Sequence, residues 1–202
     1  QIDIFQKTGQ KKLPVLFDDE IIINDSSSII RHLEKIKIEP KLIPDDPKEA
    51  SQAQIIENWA DTTLAKSIKI VFFEEIIKNP ILISSLLTKE ISNPMEKPFI
   101  NIPLNIASQI SGLINQAEKE SLKLNLEYLT NSIEKEDFLI GKKLSIADIS
   151  VASQLSLLNF PNSAGENLRG KGCSIYINNP SLKNLFKWRD SIEDKLTITN
   201  NH

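Results

Sequence analysis

The chain has 202 residues, and its 24 Lys and Arg against 27 Asp and Glu give a net charge of 24 − 27 = −3. That length lies above one ordinary domain and below two full ones, and the charge excludes the basic footprint of a nucleic-acid binder or of a protein drawn to anionic membranes. With 40% hydrophobic residues the chain can bury a core, while one cysteine (Cys173) and two histidines exclude an internal disulfide and a thiolate- or imidazole-rich metal site within one chain.

No apolar run reaches the roughly 18 residues that suggest a membrane span. No secretory leader opens the sequence, which begins at Gln1 and not at Met. The lack of disulfides suits a reducing, cytoplasmic setting.

In chain order, Leu13-Pro14-Val15-Leu16-Phe17 is short, apolar and rich in β-formers. Asp18-Asp19 is turn-like and Glu20 to Asn24 reads as a second strand, so a hairpin is predicted. Pro14 cannot donate to a ladder, which puts its nitrogen at an edge or facing a site. Asp25 and Ser26 offer N-cap oxygens to a helix running to about Glu34, with Ile29, Ile30 and Leu33 at helical spacing. Residues 38–47 contain Pro40, Pro44 and Pro47 without periodicity and read as an inter-domain linker.

Beyond the linker the pattern is helical. Pro47 suits a first turn, and Ile55, Ile56, Trp59, Thr63 and Leu64 form a stripe that continues to Ile77, where Asn79-Pro80 breaks it. The segment 91–103, with Pro94, Pro98 and Pro103, reads as a loop. A long amphipathic helix follows from Leu104 to about Ser132, with Ile106, Ile110, Leu113, Ile114, Ala117, Leu124 and Tyr128 as its apolar face. Further helices are predicted from Ser145 to about Asn159 and near Pro180 to Lys195, with a Gly- and Asn-rich loop between them. The fold class is mostly α, with a small β-containing region ahead of an all-helical bundle.

Four stretches carry candidate chemistry. Leu13-Pro14 fits a cis-proline turn that shows the backbone of Leu13 to an extended ligand. An ordinary trans proline explains it as simply, since only roughly 5–6% of X–Pro bonds in folded proteins are cis. Asp25-Ser26-Ser27-Ser28 could hold a carboxylate on helix N-terminal amides and an amine on the Asp carboxylate, or could be plain capping. Ser145-Ile146-Ala147-Asp148 is a capping box flanked by Leu144 and Ile149 at staple positions, a folding device with no chemistry of its own. Gly165-x-x-x-x-Gly170-Lys171-Gly172 fails the phosphate-binding pattern, because Gly172 has no hydroxyl for magnesium and a helix end precedes it. Cys173 reads as inert, and His32 lies on a partly exposed helix face.

Together these pieces resemble the glutathione transferase family. The stretch Lys11-Lys12-Leu13-Pro14-Val15-Leu16, then Asp25-Ser26-Ser27-Ser28-Ile29-Ile30-Arg31-His32-Leu33-Glu34, resembles the second half of its thioredoxin-like N-terminal domain. The linker Leu42-Ile43-Pro44-Asp45-Asp46-Pro47, Trp59-Ala60-Asp61, the run Phe138-Leu139-Ile140-Gly141 with Leu144 to Ile149, and Asn179-Pro180-Ser181-Leu182 with Trp188 resemble the family's later segments in order. The opening residues Gln1 to Phe5 and Gly9 to Lys12 resemble cyanobacterial or plant-type relatives. The resemblance implies a partial thioredoxin-like domain over residues 1–37, a linker over 38–47 and an all-helical transferase domain over 48–202.

It also implies roles. Glutathione would be the co-substrate, with a small electrophile as second substrate, no metal, no nucleic acid or membrane partner, and room for a homodimer. Leu13, before a cis Pro14, would pair its backbone with the cysteinyl part of glutathione. Ser26 would hold the γ-glutamyl carboxylate, Asp25 the γ-glutamyl amine, and Lys12 the glycyl end. The family's thiolate-activating Tyr, Ser or Cys lies on a strand–helix unit expected upstream of Gln1, so the catalytic residue is not identified in this sequence. A non-catalytic binding or interaction module of the same fold is the alternative, because fold alone does not fix function.

Overall fold

The computed structural model describes residues 14–36, 39–86, 104–134 and 136–198, and for 104–115 and 197–198 the backbone alone. Two compact units divide the chain, Gln1–Pro44 and Asp45–His202.

In the first unit, β1 (Val15–Asp18) pairs antiparallel with β2 (Ile21–Asn24), Val15 facing Asn24 and Asp18 facing Ile21. The loop is Asp19-Glu20, one residue later than the sequence predicts. Asp19 sits at φ 50, a left-handed conformation that Asp tolerates better than most residues, which moves the tight turn onto it. Helix α1 (Ser26–Ile36) packs back on both strands and runs two residues past Glu34. A Glu34 carboxylate oxygen accepts the amides of Leu42 and Ile43, the latter at 2.8 Å, and pins the segment after the helix. The Leu13–Pro14 bond lies outside the described residues.

The second unit opens with α2 (Pro47–Trp59). Asp46 caps it by accepting the amides of Lys48 and Glu49 at 3.0 and 2.9 Å, and Pro47 takes the first turn, where a missing N–H costs nothing. A π-helical turn (Ala60–Leu64) joins α2 to α3 (Ala65–Lys78). The predicted break at Asn79 is real, and a helix follows it that the sequence reading missed, α4 (Pro80–Leu86). The Asn79 side chain caps α4 by accepting the amide of Leu82 at 3.1 Å. The predicted loop 91–103 lies outside the described residues.

Helix α5 (Leu104–Ser132) matches its predicted span, but Leu124 and Tyr128 of the predicted apolar face are 65% and 69% exposed. The buried face is Leu122, Leu126 and Leu129, at i, i+4 and i+7. Helix α6 (Ile146–Leu155) ends four residues before Asn159. A 3-10 turn (Asn162–Ala164), the short α7 (Ser174–Ile177), a second 3-10 turn (Pro180–Leu182) and α8 (Lys183–Ile198) complete the unit.

Helix α6 is central, packed against α2, the π turn and α8. The core gathers Leu64, Ile68, Leu126, Leu155, Leu185 and Ile192. The capping box that starts α6 is formed. Asp148, fully buried, accepts the amide and hydroxyl of Ser145 at 2.9 and 2.8 Å and the amide of Leu139 at 2.7 Å. Arg189 of α8 is also buried. It donates to Asp190 at 2.7 Å, to the Ser156 hydroxyl and to the Asn159 carbonyl, and lies 5.7 Å from the centre of the Phe186 ring. Among the described residues, no helix is long and apolar enough to cross a membrane.

Candidate functional site

The first candidate is the start of α1. Asp25 precedes the helix at φ 76, a conformation that costs of order 1–3 kcal/mol in a residue other than glycine. From there its carboxylate accepts the Ser28 amide and hydroxyl, both at 3.2 Å, and its carbonyl accepts the Ile29 amide at 3.0 Å. Asp25 is thus the N-cap. Ser26 is exposed at the first helical position, and its amide and that of Ser27 have no carbonyl to meet within the helix. No acidic side chain occupies the first turn. Unpaired amides, a hydroxyl and the positive end of the helix dipole suit a carboxylate, and the carboxylate of Asp25 beside them suits an amine.

The structure therefore brings Asp25 and Ser26 together at one helix end. Pro14 is exposed at the start of β1. Lys12 and Leu13 lie outside the described residues. Two features here carry no signal readable in the sequence. His32 Nε2 meets Asp18 Oδ2 at 2.5 Å, tying the end of β1 to the helix that carries Ser26. Asn24, immediately before Asp25, buries a side-chain oxygen that has no hydrogen-bond partner.

The second candidate lies within the helical unit. A cleft of about 780 Å3 opens between α3, α5 and residues 173–182. Its floor includes Val71, Leu126 and Leu182, all buried, and Cys173. Burial pushes the Cys173 thiol up to about 12, with the charge of Glu75 adding to it. The Tyr176 phenol also rises to about 12, through burial first and then the neighbouring Cys173 and Glu74. Gly172 lets the chain enter this floor. At φ 144, a Cβ built on it would fall 2.4 Å from the Leu158 carbonyl oxygen, the same oxygen that accepts the Cys173 amide at 2.9 Å. The loop from Gly165 to Gly172 is held by paired bonds between Phe160 and Lys171 and between Gly170 and Phe160, each 2.7 Å, and follows no strand. It serves as a connection.

The expectation that Cys173 is inert has a direct check. At pH 8 a thiol with a pKa near 12 is about one part in ten thousand thiolate, and the thiolate is the reactive form. Labelling of Cys173 by a thiol reagent in the folded protein should therefore run at the rate of unfolding and become complete within seconds in denaturant. Rapid stoichiometric labelling without denaturant would show that the cleft floor is open. No group of three or more His, Cys, Asp and Glu able to hold a metal ion occurs among the described residues.

Residues 3–41 match the family model described as the N-terminal domain of glutathione S-transferase. FtsZ-localized protein A of Caulobacter vibrioides is 23% identical over 151 residues, covering 73% of this chain. The chain spans 56% of that relative's length, a little over half. A glutathione S-transferase from Rhodospirillum rubrum F11 superposes with a TM-score of 0.59 at 20% identity, covering 96% of this chain and 71% of that one. FzlA from C. crescentus gives 0.58 at 19% identity, with coverage of 97% and 71%. The β-etherase LigF from Sphingobium sp. strain SYK-6 gives 0.56 at 16% identity, with coverage of 91% and 81%. A family model that spans the hairpin and α1, together with these solved structures, establishes that the chain has the glutathione transferase fold, a partial thioredoxin-like segment followed by an all-helical domain.

Proposed function

We propose that the chain belongs to a glutathione transferase-like protein that, in its full-length form, conjugates or reduces small electrophiles with glutathione. The observation that carries this reading is the start of α1, where Asp25 and Ser26 stand together inside the stretch matched by the family model. Ser26 takes the γ-glutamyl carboxylate with its hydroxyl and amide, and Asp25 takes the amine with the part of its carboxylate that Ser28 leaves free. The backbone of Leu13, before Pro14, pairs with the cysteinyl part, and Lys12 meets the glycyl end. The chemistry is thiolate stabilisation by a residue expected upstream of Gln1. A homodimer in a cytoplasmic setting completes the reading.

The test is calorimetric titration with glutathione, on this chain and on a version extended upstream. Bonds to charged groups contribute roughly 1.5–3 kcal/mol, so Ser26→Ala should weaken binding about tenfold or more. It should barely change folding, because Asp25 and not Ser26 caps the helix. If the extended protein also binds no glutathione, the transferase reading fails.

A second reading is a non-catalytic module of the same fold that acts through protein contacts. The observation in its favour is the relative named for its localisation with FtsZ. Glutathione binding lost and no conjugating activity in the extended protein would select it.

A further inference from the structure

Most charges that line the 780 Å3 cleft of the helical unit are already answered within the chain. Lys119 bonds Glu74 at 2.7 Å, Lys123 lies 3.9 Å from Glu127, and Gln116 donates to Glu120 at 2.8 Å. Glu75 differs. It is half-buried and lines both this cleft and an adjoining hollow of about 230 Å3. Among the described residues, no hydrogen bond or ion pair reaches its carboxylate. Glu75 lines the same cleft as Cys173, and its charge adds to the effect of burial on that thiol.

Three further features define what this carboxylate can meet. Tyr176 offers a phenol that stays protonated throughout the physiological range. Val71, Leu126 and Leu182 give an apolar base, and Ile175, 75% exposed, extends it to the rim. Lys78, three residues beyond Glu75, also lines the cleft, but it stands in the last turn of α3, where the helix C-terminus favours a cation. An anionic or purely apolar guest would strip water from Glu75 and give nothing in exchange, a neutral donor would return one hydrogen bond without the opposite charge, and a desolvated carboxylate without a partner is costly. A lone carboxylate above aliphatic side chains is also a poor metal site, since hard cations need several oxygens.

We propose that this cleft binds a small organic amine, with the ammonium against Glu75 beside Tyr176 and the apolar body on Val71, Leu126 and Leu182. Three features make the ligand class specific. The carboxylate selects the charge, the phenol adds an oxygen acceptor for an ammonium proton, and the floor selects an aryl or alkyl body over a sugar or phosphate. The site is built entirely within residues 45–202, so it stands whether or not the first unit binds glutathione.

Calorimetric titration of the full chain with phenethylamine, 2-phenylethanol and phenylacetate tests this. The three probes share the ring and differ in charge. Saturable binding is expected for the amine, with the alcohol and the acid weaker by about tenfold or more, the loss of one charge-assisted bond. Glu75→Gln, which keeps the shape of the side chain, should cost the amine a similar factor while the melting temperature stays near that of the parent. Tyr176→Phe should weaken the amine by a smaller factor. The proposal is overturned if the amine shows no saturable binding, if the alcohol binds equally, if phenylacetate is preferred, or if Glu75→Gln leaves amine affinity unchanged. The probe series on the unaltered protein decides the question even if a variant folds poorly.

Discussion

Arg189→Ala should cost the helical unit roughly 3–5 kcal/mol, the combined effect of stranding a buried acceptor and emptying the space of a large buried side chain. The guanidinium is 1% exposed and reaches three places at once, the Asp190 carboxylate, the Ser156 hydroxyl and the Asn159 carbonyl. Asp190 is half-exposed, so water can replace that bond and little of the cost arises there. The expense lies in the stranded Asn159 carbonyl and in the void left beside Phe186. For a chain of this size each kcal/mol moves the melting temperature by about 2–4 °C, so a fall of roughly 6–20 °C is expected by circular dichroism. Arg189→Met refills the volume without the bonds and Arg189→Lys restores charge without the fork, so both should fall between. A parent-like melt for the alanine variant would mean that the network is decorative.

Asp148→Ala should cost about 2–4 kcal/mol, more than an ordinary cap, because two amides lose their acceptor. The amides of Ser145 and Leu139 both end on this carboxylate, and burial denies them water. The pH dependence has a definite sign. Burial raises the Asp148 carboxyl above its ordinary value of 3.8, and the bonds from Leu139 and Ser145 oppose that only in part. A folded-state pKa above the unfolded one means that the folded protein takes up the proton first. The associated stability is fully present below about 3.8 and is lost as pH rises through the folded pKa. The margin of the parent protein over Asp148→Asn, which does not titrate, should therefore narrow as pH climbs through that window. Denaturant titrations of the pair at several pH values check it, and a margin that widens over the same interval would reverse the assignment.

Local signals were legible where they were self-contained. The hairpin, the first-turn place of Pro47, the capping box of Ser145 and Asp148 and the span of α5 all follow from local sequence, whereas the cap that Asp46 supplies ahead of Pro47 appears only in the structure. The predicted stripe was right in part. Ile56, Trp59 and Leu64 pack in or against the core, whereas Thr63 is exposed, Ile55 is 69% exposed and the buried line runs Ala53, Glu57, Ala60, Leu64, Ile68, Val71. Small alanines let α2 approach α6 closely and carry almost no hydrophobic signal. The π turn at Ala60–Leu64 widens the helix locally, so a strict 3.6-residue count across it drifts off the packed face. In α5 two helical stripes compete, and the leucines at 122, 126 and 129 win because they meet α3 and the 3-10 turn at Pro180–Leu182. At the candidate site, Asp25 and Ser26 were readable as a helix start, whereas the His32–Asp18 tie, fourteen residues apart, and the unanswered Glu75 depend on tertiary placement.

Gly172 constrains how this sequence can drift. Any side chain there would press on a backbone oxygen that cannot rotate away, because Cys173 is already bonded to it. Neighbouring positions are free in a way this one is not, since Gly165 and Gly170 would meet nothing within 4 Å and need glycine only for their dihedral angles. Descendants of this chain could recharge the exposed loop positions Glu166, Asn167 and Arg169 at little cost. They could not fill position 172 without also giving up the crossing that sets Cys173 in the floor of the cleft and Tyr176 in its lining. Variation in the loop would then leave the floor of the cleft in place, since no residue from 165 to 172 lines it.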